Sequence, residues 1–306
     1  MRTFLWTCAL TVLLAANTLS GQTPAKTSSK VETFKSAEAA ADAVIAAAEK
    51  FDTAAILRIF GEDGKDVILT DEPARDKEVA SAFAAQAHIK KSVKIDPHNV
   101  NVAHLLIGAD DWPFAIPIAK HGTAWSFDLA AGRQELLFRR IGGNELDAIE
   151  ICHGFVEAQH EYALEKHGSA VNQYAQRIIS SPGKQDGLAW QNSDGTWGGP
   201  IGENVAQAIE NGYAKGSPYH GYYFRVLTGQ GPAAPLGEMN FVVKGIMIGG
   251  FALLAVPADY GLTGVKTFIV SHDGIVYEKD FGADTQEKTK SITRYDPDKT
   301  WTPVKR

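Results

Sequence analysis

Between Ser217 and Gly282, short apolar runs alternate with breaks marked by glycine and proline. That punctuation admits strands and turns but no long helix, so the region is expected to form an antiparallel meander. Strand alternation puts Tyr222 and Phe224 on one face of the sheet and Tyr223 and Arg225 on the other. The run from Gly245 to Ala258 is the most apolar stretch here. It is too short to span a membrane and is broken at Gly249, Gly250 and Pro257, so it reads as a buried central strand. His272-Asp273-Gly274 reads as the turn of a hairpin. Ser271, His272 and Asp273 are consecutive, and consecutive strand residues face opposite ways. They are therefore not expected to form a catalytic triad among themselves.

The chain ahead of this region changes composition more than once. An alanine-rich segment begins after Ser36, a good N-cap, and predicts a helix. A second helix is expected over 54–60, ending at Gly61, and a third from about Pro73 to Lys91. Strands are expected over 100–107 and 114–119, followed by a turn at Lys120–Thr123 and a strand bearing Trp125 and Phe127. Gly142-Gly143-Asn144 reads as a boundary, with Asn144 capping a new long helix that runs to about His167. A further helical piece is expected over 171–179, then a turn-rich loop from Trp190 to Gly202 and a short helix over 203–211. The polar tail after Thr285 offers Tyr295 and Trp301 as docking points. These elements predict an α+β protein. In residues 34–141, helices pack on a curved antiparallel sheet. In residues 142–306, a long helix packs on an antiparallel meander, a layout like that of pilins. The apolar leader lies far upstream of that helix, so pilin-type filament assembly is not expected.

The first 20 residues have a basic start at Arg2, an apolar stretch and small residues at Thr18 and Ser20, the layout of a cleavable secretory signal. Residues 21–33 read as a polar tether. The expected destination is the periplasm or the exterior. Of Cys8 and Cys152 only the second would remain after cleavage, so no internal disulfide is expected. The formal charge is −6, and loss of Arg2 with the leader makes it −7. A mildly acidic chain without basic runs argues against nucleic acid and against anionic lipid as partners, and the mature chain offers no membrane span.

Three patterns could carry chemistry. His153, His160 and His167 recur every seven residues along the long helix, with Glu157 beside them. His153 and His167 stand about 21 Å apart at 1.5 Å per residue, so only His153, Glu157 and His160 could share a metal ion. They border the apolar face, where histidines also serve as hydrogen-bonded core residues. Cys152 is the second pattern. It could act as a thiol nucleophile only with a base from elsewhere, such as His220, and on an apolar face it reads as a small hydrophobe. The third is aromatic: Trp190, Trp197, Tyr219, His220 and Tyr223 could form a surface for a peptide or glycan. No P-loop, dinucleotide fingerprint or calcium-spaced acidic loop is present, and no cofactor is expected.

Tyr219-His220-Gly221-Tyr222-Tyr223-Phe224-Arg225 and Thr267 to Gly274 resemble the bacterial domain-of-unknown-function family 2950. So do Arg139 to Gly142, Glu161-Tyr162-Ala163, Tyr174-Ala175-Gln176 and Ser181 to Gly187. The resemblance runs roughly from Phe34 to Val304. It implies an exported protein, and it transfers no catalytic residue because the family has no established ones. The sequence therefore favours an envelope binding or structural module. An envelope hydrolase using Cys152 or a metal near His153 and His160 is the alternative.

Overall fold

The computed structural model describes residues 31–70, 72–214 and 216–305. The leader, Cys8 and most of the tether lie outside the described residues. Helix α1 (Ala37–Glu49) starts where Ser36 Oγ accepts the Ala39 N–H at 3.1 Å. Its small alanines allow close packing, and Ala40, Ala41 and Val44 are buried. Helix α2 (Thr53–Phe60) is capped by Asp52 and ends at Gly61, whose φ of +85° suits glycine. A single helical turn α3 (Lys65–Ile68) leads to α4 (Pro73–Ile89), with proline in its first turn.

Strand β1 (Lys91–Ile95) follows α4 at once and pairs antiparallel with β2 (Val102–Ile107). β1 carries lysines at Lys91 and Lys94, so its pattern shows neither a helical nor an apolar strand signature, and sequence reading missed it. β3 (Trp112–Pro113), β4 (Ile118–His121) and β5 (Ala124–Phe127) complete an antiparallel sheet. The expected turn at Lys120 to Thr123 is narrower than predicted, because Lys120 and His121 are still paired to Trp125 and Ala124.

Helix α5 (Leu129–Tyr162) is 34 residues long and overturns the expected break at Gly142-Gly143-Asn144. Asp128 is its cap, and its side chain accepts the Ala131 N–H at 3.0 Å. Two mid-helix glycines cost about 1 kcal/mol each relative to alanine, but the helix runs unbroken through them, held by contacts on both sides. Arg139 donates to the Pro113 carbonyl, and Arg140 donates to those of Asp66 and Val67. Just beyond, buried Asn144 donates to the Thr263 carbonyl at 2.9 Å, and Glu145 Oε1 accepts the N–H groups of Val265 and Lys266. α5 is thus a shared beam. Its first turns serve a core formed with α1, α2, α4 and the strands β2, β4 and β5, and residues from Ala148 onward serve a second core in the C-terminal half.

The second half holds β6 (Arg177–Ile179), β7 (Gly187–Gln191), β8 (Trp197–Gly198) and α6 (Gly202–Glu210). No helix occupies 171–179. Gln159 takes both the N–H and the carbonyl of Ala175 at 2.8 Å, which fixes this stretch extended, and β6 then pairs parallel with β7. The expected meander is present. It begins with β9 (Tyr222–Leu227), followed by ribbons of β10 (Gly229–Gln230) with β11 (Met239–Asn240) and of β12 (Val242–Val243) with β13 (Ile246–Met247). β14 (Ala252–Pro257), β15 (Lys266–Ser271) and β16 (Tyr277–Asp280) follow, then α7 (Thr285–Lys290) and β17 (Thr302–Pro303). The main sheet runs β17-β16-β15-β14-β9, all antiparallel. Every residue of β14 is buried, because α5 and α7 both pack against this central strand. Tyr295 and Trp301 are buried in the same core, as docking points should be. Among the described residues no helix is long and apolar enough to cross a membrane.

Candidate functional site

Where α5 ends, the chain makes a groove. Tyr162 is the last helical residue, and its hydroxyl donates to the Gln185 carbonyl across the groove floor. Burial, with help from the Asp186 charge, pushes this phenol up to about 12, so it stays protonated. The chain turns back so that the His167 ring lies flat on Tyr162, with centroids 3.7 Å apart and planes 15° apart. His167 Nε2 sits 2.8 Å from the Tyr162 carbonyl oxygen, a capping contact at the helix end. Trp190, on β7, lies tilted against His167, with ring centroids 5.4 Å apart and planes 56° apart. Its ring covers Gly198 and Gly199. A Cβ at Gly199 would lie 2.4 Å from the Leu188 carbonyl oxygen and 2.7 Å from the Trp190 ring, so the glycine is what lets Trp190 lie there.

The opposite rim is the loop between β6 and β7. Asp186 accepts the Ser181 N–H at 2.7 Å and the Ser181 hydroxyl at 2.9 Å, which closes the loop on itself. Partial burial raises this carboxyl, but the two Ser181 donors and the Arg177 guanidinium outweigh it and hold Asp186 below the ordinary range. Gly187 N–H donates to Ser180 Oγ at the strand start.

The groove encloses about 840 Å³, within the range of small-molecule sites. Its walls are rich in carboxamides, including Gln173, Gln176, Gln191 and Asn192. Each donates an N–H to the protein: Gln173 to His167 O, Gln176 to Gly245 O, Gln191 to Gly195 O and Asn192 to Thr196 Oγ1. Their positions are therefore set in advance, with the amide oxygens as remaining acceptors. Lys184 and Asp186 supply one charge of each sign.

The five aromatic and histidine residues picked out from sequence do not form one surface. Trp190 lines the groove, while Trp197 is half-buried on the neighbouring strand, opposite Gln191. Tyr219 and His220 lie at the junction of the two halves. There His220 Nδ1 is 2.7 Å from Asp147 Oδ2, and Arg75 donates to the same oxygen at 2.6 Å. Tyr219 packs on His220 at 4.3 Å, and His220 has a φ of +51°. Tyr223 is 41% exposed on the outer side of β9, away from both places.

Among the described residues, no group of three or more His, Cys, Asp or Glu is placed to hold a metal. His153, Glu157 and His160 therefore make no ligand set; the His160 ring packs edgewise on Phe251 at 5.5 Å. Cys152 is 0% exposed, and burial pushes its thiol up to about 12, the reverse of what a nucleophile needs. Ser271 and His272 do touch, with Oγ 3.0 Å from Nδ1, contrary to the alternation argument, because the strand is already turning there. Asp273 instead accepts the Ile275 N–H, so the third member of a triad is absent from this contact.

Sequence reasoning missed Tyr162, His167 and the carboxamide wall as one site. The signal was present in Glu161-Tyr162-Ala163, Tyr174-Ala175-Gln176 and Ser181 to Gly187. Each reads locally as a family motif, and nothing in their spacing marks them as neighbours in space. A family model described as "Protein of unknown function (DUF2950)" matches residues 31–304. No curated protein and no solved structure matches the chain.

Proposed function

We propose, from the premise that the chain belongs to the DUF2950 family of proteins of unknown function, that it is an exported envelope protein whose groove binds a glycan. The observation that carries the reading is the combination of stacked aromatic rings with a wall of carboxamides already fixed in place. A sugar ring presents an apolar face, which suits Trp190 and the His167–Tyr162 stack. Its hydroxyls both donate and accept, which suits amide oxygens and the Lys184 ammonium. Export is supported by the leader-like layout of residues 1–20.

The test uses the mature chain and a panel of soluble oligosaccharides, including fragments of cell-wall glycan, read by calorimetry. A saturable ligand is expected, and Trp190→Ala is expected to weaken it about 10-fold or more, as loss of a stacking ring does. Lack of binding across the panel, or binding that Trp190→Ala leaves intact, sinks the glycan reading. Recovery of cytoplasmic protein that still carries residues 1–20 sinks the export reading.

A further inference from the structure

The charged groups around the groove differ in what they still have to offer. Among the described residues, Asp186 is the only acidic one that lines it. Its Oδ1 accepts the Ser181 N–H, its Oδ2 accepts the Ser181 hydroxyl, and Arg177 Nε lies 3.4 Å from Oδ2. That charge is answered within the protein. The charge on Lys184 is not. Its side chain is exposed and makes no hydrogen bond or ion pair with a described residue. Two cations, Arg177 and Lys184, against one carboxylate leave a positive charge in excess here, on a chain whose formal charge is −6.

The backbone of Lys184 is fixed in advance. Ser181-Pro182-Gly183-Lys184 closes as a β-turn, with the Lys184 N–H donating to the Ser181 carbonyl at 3.0 Å. Proline stands second and glycine third, and Gly183 has the φ of +71° that a type II turn requires at that place. Asp186 ties the same loop shut. Only the rotation of the lysine side chain is left for a ligand to order. The end of α5 could have opposed an anion, because its last carbonyl oxygens carry partial negative charge. Those of Tyr162 and Ala163 are instead taken by His167 Nε2 and Asn172 Nδ2, each at 2.8 Å.

We propose that the glycan bound in this groove is acidic: its sugars carry a carboxylate, which Lys184 binds. This rests on the glycan reading above and adds the charge of the ligand to it. A neutral sugar uses the aromatic stack and the amide oxygens but gains no ionic attraction from Lys184. A phosphate monoester would bring close to two negative charges to a place with one positive charge in excess. One carboxylate per contact matches that charge, and the second N–H of each carboxamide remains to bond its other oxygen.

The test compares ligands of one shape that differ in charge. Trigalacturonate is set against its methyl ester, and the disaccharide of N-acetylglucosamine with N-acetylmuramic acid against di-N-acetylchitobiose. Calorimetry on the wild-type mature chain is expected to show at least one acid binding about 5-fold or more tighter than its neutral counterpart. Added salt is expected to weaken the acid and leave the neutral sugar unchanged. Lys184→Gln, at an exposed position, should bring the acid down to the affinity of its counterpart, and Lys184→Arg should keep the preference. A loosened groove would instead weaken both members of a pair. If acid and neutral forms bind alike, if only neutral sugars bind, or if Lys184→Gln leaves the preference intact, the acidic assignment is overturned while the glycan reading stands. If no oligosaccharide binds, acidic or neutral, both fall.

Discussion

Asp186 at the groove rim and Glu72 at the seam between the two halves are both carboxylates that accept a backbone N–H, yet their proton affinities shift in opposite directions. Asp186 takes the N–H and hydroxyl of Ser181 and lies 3.4 Å from Arg177 Nε, while water still reaches it. Glu72 takes the Gly221 N–H, with a weaker pull from the His220 N–H, is almost wholly shut off from water, and has Asp76 nearby. Those N–H groups and Arg75 do not offset the deep burial of Glu72, whereas the Ser181 donors and Arg177 do offset the partial burial of Asp186. The two places therefore differ in kind. The rim offers fixed polar partners around an open groove, while the Glu72 seam is a closed, tightly packed contact between the two halves.

The largest expected difference between the two places is steric. Gly221 and Gly183 both sit in the left-handed region, at φ +78° and +71°. At Gly221 a Cβ would stand 2.4 Å from Asn144 Nδ2 and 3.1 Å from the Thr263 Cβ, at the seam where Glu72 holds the Gly221 N–H. At Gly183 it would meet nothing within 4 Å. Gly221→Val is expected to destabilise by about 3 kcal/mol or more, and Gly183→Val by roughly 1–2 kcal/mol. Urea denaturation of the two variants measures this. Equal losses would mean that the junction is no more tightly packed than the rim.

The carboxylates themselves give a pH test with opposite signs. Glu72 is raised from 4.5, so the folded chain binds that proton more tightly than the unfolded chain does. The resulting stability is present below pH 4.5 and is lost as pH rises through the folded value. Gln does not titrate. Glu72→Gln should therefore gain on wild type as pH increases through that window. Asp186 is lowered from 3.8, so its stability is present above that value and disappears as pH falls through the folded value. Asp186→Asn should accordingly cost most at neutral pH, and the gap should close in acid. Denaturation midpoints between about pH 3 and pH 7 separate the two behaviours. Parallel pH profiles for both variants would break the contrast.

Legibility in the sequence followed the range of the forces involved. Helix α1 was readable because Ser36 and the alanines act within a few residues, and β14 because six consecutive buried positions leave little but a central strand. The hairpin at His272 to Gly274 was local in the same way. The continuity of α5 was not readable, because Gly142 and Gly143 argue locally for a break. What overrides them are bonds from Arg139 and Arg140 to one half and from Asn144 and Glu145 to the other. The groove and the Glu72 seam were hidden for the same reason. Tyr162 and Gln185 are 23 positions apart and Glu72 and Gly221 are 149, and neither pairing leaves a periodic trace.

The smallest effect should come from Tyr223, and it bears on whether the aromatic surface read from the sequence was one surface or several. Its neighbour Tyr222 is fully buried, with its hydroxyl donating to the Lys266 carbonyl at 2.9 Å, while Tyr223 faces outward from β9. An exposed ring away from the groove and the Glu72 seam contributes little to folding, so Tyr223→Ala is expected to change stability by less than about 0.5 kcal/mol. Oligosaccharide affinity should be unchanged. Because strand alternation puts Tyr223 on the face opposite Tyr222, a large loss of that affinity would show that β9 presents a further binding surface. The contrast between an open polar groove and a closed seam would then have to be redrawn around the outer face of the sheet.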